Sequence, residues 1–156
     1  MIRYIYAIAA MFLIPSVCFG QESLVGTYRL LDVVIELDGK PGPHPTLGLN
    51  PPGYLFITPK HFMATYAATN RKGGTSVPEK AALWDTLGMW GGPYQVQGDK
   101  LTVSVDLSWN ESWTGKPQVR TYKLDGKRLL LIAPPQPFPR DPSKTAVAKF
   151  TWERMD

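Results

Sequence analysis

The sequence predicts a single all-β domain built from antiparallel strands, with one short helix. First, 14 Gly and 15 Pro among 156 residues are many for a helical protein and ordinary for one made of hairpins and loops. Second, the tight-turn residues Gly98-Asp99 and Asp125-Gly126 each separate two segments suited to strands. Third, strands and helices do not alternate, which disfavours a parallel sheet. With 44% hydrophobic residues, the chain can bury one core, and its length leaves no room for two ordinary domains.

Residues 1–20 have the layout of a secretory signal peptide. One arginine precedes an apolar run over residues 4–14, a proline and small residues follow, and Cys18 and Gly20 stand at positions −3 and −1 of a cleavage site. The apolar run is shorter than the ~20 residues of a membrane-spanning helix. We therefore expect a periplasmic or secreted protein with a mature domain over residues 21–156 and no stable membrane insertion after cleavage. An uncleaved N-terminal anchor is the alternative.

The elements of the mature domain follow from hydrophobic and β-branched runs bounded by turn residues. Strands are predicted, in chain order, over residues 24–36, 53–58, 62–67, 94–97, 101–109, 118–124, 128–133 and 146–154, with a helix over 80–89. Proline-rich segments at 40–53 and 134–142 and a polar, Gly-rich segment at 68–79 are predicted loops. Loops this long in a compact domain are often functional.

The segment from residue 101 to 108 alternates regularly between apolar and polar side chains. The apolar set is Leu101, Val103, Val105 and Leu107, and the polar set is Thr102, Ser104, Asp106 and Ser108. In an ordinary sandwich the polar set faces water, whereas either set can face the interior of a ligand-holding barrel. The alternation alone leaves both orientations open.

Several segments carry a resemblance to a known family. LVGTYRLLDV at residues 24–33 resembles the Gly-x-Trp opening of lipocalin-like proteins, with Tyr28 in place of the Trp. Later segments strengthen it: NPPGYLFITPKHFMA, ALWDTLGMWGGPYQV, GDKLTVSVDL, QVRTYKLDGKRLLL and TWERM. Over roughly residues 24–154 the chain resembles the bacterial lipocalin-like domain family, a calycin-type group. The resemblance implies an antiparallel barrel of about eight strands around a pocket, and it implies a fold more firmly than an activity.

The same resemblance gives three residues a structural role. In lipocalin-type barrels an aromatic residue of the first strand closes one end, and an arginine of the last strand packs over it. Gly26, Tyr28 and Arg154 occupy these positions. An arginine on an aromatic face stabilises by ~0.5–2 kcal/mol.

The candidate ligand-binding residues are aromatic side chains and two charged groups. They are Tyr54, Tyr66, Trp84, Tyr94, Asp106, Trp113 and Arg120. Aromatic walls with a few placed polar groups are typical of small-molecule sites, although aromatics also make good cores. If the polar face of the 101–108 strand points inward, Asp106 and Arg120 form a buried pair that can hold an anionic ligand group. If it points outward, the pair is solvated and contributes little.

Catalytic and metal-binding candidates are few. Asp106 and Asp85 are the carboxylates that could accept a proton. His44 and His61 are the only histidines and lack metal-ligand spacing, and the mature chain has no cysteine, so we expect neither a metal site nor a cofactor. The net charge of +4 is spread along the chain, and we expect no nucleic-acid partner.

Three functions fit these observations. The leading hypothesis is an exported barrel that binds a small hydrophobic or amphipathic molecule in its interior without a cofactor. The first alternative is a cofactor-independent isomerase, cyclase or lyase that uses a pocket carboxylate. The second is an interaction module with a solid barrel core, acting through its loops.

Overall fold

A computed structural model describes residues 24–138 and 141–156. The strands are β1 (Gly26–Leu37), β2 (Lys40–Pro43), β3 (Gly53–Ile57), β4 (His61–Ala67), β5 (Leu87–Gln97), β6 (Lys100–Ser104), β7 (Leu107–Ser108), β8 (Pro117–Asp125), β9 (Arg128–Ile132), β10 (Gln136–Phe138) and β11 (Asp141–Arg154). Helix α1 spans Val77–Asp85, and a 3₁₀ turn spans Glu111–Trp113. The signal peptide predicted at residues 1–20 lies outside the described residues.

Eight strands form a closed antiparallel barrel in the order β1-β3-β4-β5-β6-β8-β9-β11, with β11 paired to β1. The closing ladder runs from Tyr28 opposite Arg154 at one end to Leu37 opposite Ala146 at the other. Strands β2, β7 and β10 extend the sheet by pairing with β1, β5 and β11. The prediction of an antiparallel barrel of about eight strands with one short helix is confirmed.

Helix α1 begins and ends earlier than the sequence predicted. It starts after Ser76, whose side chain accepts the backbone N–H of Glu79 while the Glu79 carboxylate accepts the N–H of Ser76. This capping box stabilises the first turn. Residues 87–89, predicted as helix, belong to β5, so that strand begins seven residues before its predicted start at Tyr94. The predicted proline-rich loops contain the edge strands β2 and β10, where proline is tolerated.

The predicted strand over residues 101–109 is broken near Gly92, its neighbour in β5. A Cβ atom at Gly92 would collide with the backbone oxygen of Ser104, so only glycine allows this close approach. Pairing with β5 therefore stops where Val103 lies opposite Tyr94 and resumes, shifted by one residue, where Leu107 lies opposite Gly91. Such a bulge reverses which side chains face outward. Leu107 is 49% exposed, so it does not share the face of Leu101, Val103 and Val105 that the uninterrupted alternation predicted for it.

The burial of β6 and the two residues after it shows which face lines the barrel. Leu101, Val103 and Val105 are buried, while Ser104 and Asp106 are exposed. The interior of the barrel is therefore apolar along this segment, and Ser104 and Asp106 face water.

Within the described part of the chain, no helix combines the length and apolarity that crossing a bilayer requires.

Candidate functional site

A cavity of about 620 Å³ opens at the end of the barrel where Leu37 pairs with Ala146. Its wall is largely apolar and includes Ile35, Leu87, Trp109, Ala148 and Phe150. Pockets for small molecules usually measure ~300–1,000 Å³. The cavity is therefore large enough for a small organic ligand.

The other half of the barrel is packed. A void of only about 10 Å³ lies beneath the cavity, against Phe62, Trp90 and Trp152. Tyr66, Arg120 and Phe150 contact both spaces and so form the floor of the cavity.

Arg120 reaches the floor because of its register in β8. It lies opposite Leu101, a fully buried residue of β6, so its side chain enters the barrel. Its sequence neighbours Val119 and Thr121 point to the opposite face of the sheet. Among the described residues, Arg120 is the one buried charged side chain, with 8% of its surface exposed.

The guanidinium of Arg120 is held by neutral partners. Its central carbon lies 5.0 Å from the centroid of the Trp90 ring. Its Nη1 donates to the backbone oxygen of Val119 at 2.7 Å, and both Nη atoms make long contacts of 3.4 and 3.5 Å with Oε1 of Gln118. No ion pair found in residues 24–138 and 141–156 includes Arg120. Burial consequently lowers the pKa of Arg120, an effect that Tyr66 partly opposes.

Tyr66 lies beside Arg120 on the cavity floor. Its ring centroid is 5.2 Å from that of Phe150. Burial raises the pKa of the Tyr66 phenol, and the neighbouring arginine partly offsets this rise. The phenol is thus protonated and uncharged at neutral pH, so it does not neutralise Arg120.

Trp113 and Asp85 are two further predicted site residues that line the cavity. The Trp113 ring makes an edge contact with Trp90, with centroids 6.2 Å apart. Asp85, at the end of α1, is exposed at the rim. His44 also lines the cavity, and its Nδ1 accepts the backbone N–H groups of Thr46 and Leu47, each at 3.2 Å. This leaves the ring proton on Nε2.

Four predicted ligand-binding residues lie outside the cavity. Tyr54 is 47% exposed on the outer face of β3, and Trp84 is 53% exposed on α1, against Trp109. Tyr94 is buried, and its hydroxyl donates to the backbone oxygen of Thr58 at 3.0 Å. Asp106 is exposed beyond the end of β6.

The pair of Asp106 and Arg120 that an inward polar face would have formed is therefore not present. Asp106 lies on the exposed face together with Ser104, whereas Arg120 lies opposite the buried Leu101 and enters the barrel. The cavity contains the cation without an acidic partner from this strand.

Two cavity residues were missed as candidates. Gln118 precedes Arg120 by two positions in a strand, and this spacing alone places both on one face. Trp109 also lines the cavity, and its indole Nε1 is buried with no acceptor among the described residues. Only the folded arrangement reveals that unsatisfied donor.

The opposite end of the barrel is closed by Tyr28 and Arg154. The Tyr28 hydroxyl donates to the backbone oxygen of Leu24 at 2.8 Å and accepts from Nη2 of Arg154 at 2.6 Å. The guanidinium carbon also lies 5.2 Å from the centroid of the Tyr28 ring. A Cβ atom at Gly26 would lie 3.1 Å from Nε of Arg154, so glycine leaves room for this contact.

No cluster of three His, Cys, Asp or Glu side chains suitable for a metal ion occurs in the described ranges.

A closed eight-stranded antiparallel barrel with one packed end and one hollow end defines the lipocalin-like class of fold. Residues 25–155 match the family described as lipocalin-like domain, and the chain belongs to this family. No curated protein has a significantly similar sequence. Among solved structures, an uncharacterized protein from Bacteroides eggerthii is similar, with 14% sequence identity and a TM-score of 0.42. That match covers 83% of this chain and 98% of the other.

Proposed function

We propose that this protein is an exported barrel that binds a small, largely apolar molecule in its cavity without a cofactor. The observation that carries the proposal is the cavity of about 620 Å³ with its mainly apolar wall. Burial of apolar ligand surface would supply about 25 cal/mol per Å², from which the entropic cost of association is subtracted. The family match supports a small-molecule-binding barrel.

Binding is favoured over catalysis by the placement of the carboxylates. Asp85 is the only carboxylate in the described wall of the cavity, and it is exposed at the rim. A general base needs to reach the reacting atoms of a bound substrate, and Asp106 lies outside the cavity. The hollow end also favours interior binding over an interaction module with a solid core.

Tryptophan fluorescence tests the binding proposal, because Trp109 and Trp113 line the cavity. The purified protein is titrated separately with an alkanol, an alkanoate, an aromatic acid and an isoprenoid alcohol. We expect a saturable change in intensity or wavelength with at least one class. Trp113→Phe should reduce the response, whereas Trp84→Phe, a control outside the cavity wall, should reduce it less. A flat response of the folded protein to every class would refute the proposal.

Export rests on the pattern of residues 1–20 and has its own test. The full chain is expressed in a Gram-negative bacterium, the cells are fractionated, and the N-terminus is identified by mass spectrometry. We expect a periplasmic or secreted protein beginning at Gln21. A cytoplasmic protein that retains residues 1–20 would contradict export.

A further inference from the structure

We infer that the ligand is an amphipathic monocarboxylate whose anionic headgroup binds Arg120 at the cavity floor while its apolar part extends toward the mouth. This inference rests on the proposed function, since it names the class of molecule that the cavity binds.

The charge of Arg120 favours an anionic ligand. Arg120 is buried, and none of the ion pairs in the described residues involves it. Buried charges in proteins are usually paired, because taking an ion out of water without a partner is costly. An anion that reaches the floor of the cavity would supply the missing partner.

The cavity wall holds hydrogen-bond donors that the protein does not fully use. The guanidinium of Arg120 has five N–H groups, and its only short hydrogen bond goes to the oxygen of Val119. The indole Nε1 of Trp109, a residue of the cavity wall, is buried without an acceptor among the described residues. A carboxylate is matched to these donors because it only accepts, and it can accept two N–H groups of one arginine.

The rest of the cavity wall suits a ligand with one negative charge and an apolar body. The described wall contains no lysine and no second arginine, so a dianion such as a phosphate monoester would keep an unpaired charge. Asp85 at the rim would repel a second anionic group near the mouth. The remaining wall, with Ile35, Ala148 and Phe150, suits a hydrocarbon tail.

Calorimetric titration with two ligands of equal chain length tests the inference. Dodecanoate and dodecanol are each titrated into the purified protein at pH 8, below their aggregation concentrations. We expect dodecanoate to bind at least about tenfold more tightly than dodecanol, the size expected for charged hydrogen bonds. Arg120→Met should remove this preference, so that the two ligands bind with similar affinity.

Control variants separate the charge of Arg120 from its packing. Arg29→Met removes an arginine from the outer face of β1, where it pairs with Glu153, and should leave the preference intact. Near-ultraviolet circular dichroism checks the fold of Arg120→Met. If that variant does not fold, Arg120→Lys provides the test, because it keeps the charge but loses the two-point contact and should lower the preference.

The outcomes distinguish the inference from the proposed function. If neither ligand nor any other class binds, the proposed function fails. If both ligands bind equally well, or if Arg120→Met keeps the preference for dodecanoate, the barrel binds small molecules but the inference is overturned.

Discussion

The two ends of the barrel each place an arginine over an aromatic ring, and the two arginines are held differently. At the packed end, Arg154 lies 5.2 Å from the Tyr28 ring and donates two hydrogen bonds to its hydroxyl. At the hollow end, Arg120 lies 5.0 Å from the Trp90 ring, but its one short hydrogen bond goes to the adjacent peptide oxygen. At the packed end, the cation–π contact is therefore combined with side-chain hydrogen bonds between the same two residues. At the hollow end, the arginine makes the same type of contact but keeps N–H donors for a ligand.

This difference separates a stabilising role from a binding role. A partly exposed arginine that donates to a buried hydroxyl contributes to folding. A buried arginine with neutral partners adds little to folding or opposes it, because its desolvation is not repaid. Proteins commonly accept such a cost at functional sites.

The largest expected effect comes from removing the aromatic residue of the packed end. Tyr28 is fully buried, so Tyr28→Ala should leave a cavity and lower the free energy of unfolding by about 3–5 kcal/mol. Urea unfolding of the wild-type protein and the variant measures this loss of stability. Tyr54→Ala, on the outer face of β3, is the matched control and should change stability by far less. Equal losses in the two variants would contradict the assignment of the packed end.

Removing the arginine of the packed end should have the next largest effect. Arg154→Met loses the contact with the Tyr28 ring and the hydrogen bonds to its hydroxyl. We expect the free energy of unfolding to fall by about 1–3 kcal/mol, measured by urea unfolding. An unchanged midpoint would show that Arg154 does not stabilise this end.

Alkaline pH should destabilise the barrel through a tyrosine at each end. Burial raises the pKa values of Tyr28 and Tyr66 above the ordinary value of 10.0. Below pH 10 both groups are protonated in the folded and unfolded states, so they add no pH dependence. Above pH 10 the unfolded chain loses these protons first, and stability falls by up to about 1.4 kcal/mol per pH unit for each tyrosine.

Thermal unfolding between pH 9 and 11.5 checks that stability falls with rising pH. Tyr66→Phe should make the fall less steep, because one of the two groups is removed. A stability that rises above pH 10, or a slope unaffected by Tyr66→Phe, would contradict the assignment.

Removing the arginine of the hollow end should have the smallest effect on the free energy of unfolding. Without ligand, Arg120→Met should leave stability unchanged or raise it by about 1 kcal/mol, since a buried unpaired charge is replaced by an apolar side chain. Thermal unfolding of the protein freed of bound ligand measures it. A loss as large as that of Arg154→Met would show that Arg120 has a structural role.

The antiparallel strands could be predicted from the sequence because hairpin turns are local signals, whereas the closed barrel was implied by the resemblance to the lipocalin-like family. Gly98-Asp99 and Asp125-Gly126 marked two hairpins that the structure contains. The break after Ser104 was not predictable in the same way. It depends on Gly92, which lies in a neighbouring strand, and on how closely two backbones approach there.

Part of the candidate site could be predicted from residue type. Arg120, Tyr66 and Trp113 were identified by residue type and they line the cavity. Tyr94 and Asp106 were proposed on the same grounds, but Tyr94 lies in the packed core and Asp106 lies on the exposed face. Residue type indicates a binding group, whereas strand register determines its location.

A crystal structure of the protein with dodecanoate would show whether Arg120 binds the headgroup of an amphipathic anion. We expect a carboxylate within about 2.7–3.2 Å of the Arg120 guanidinium, with the alkyl chain directed toward the mouth. A carboxylate at the mouth with the alkyl chain at the floor, or dodecanoate bound only outside the barrel, would rule out this role of Arg120.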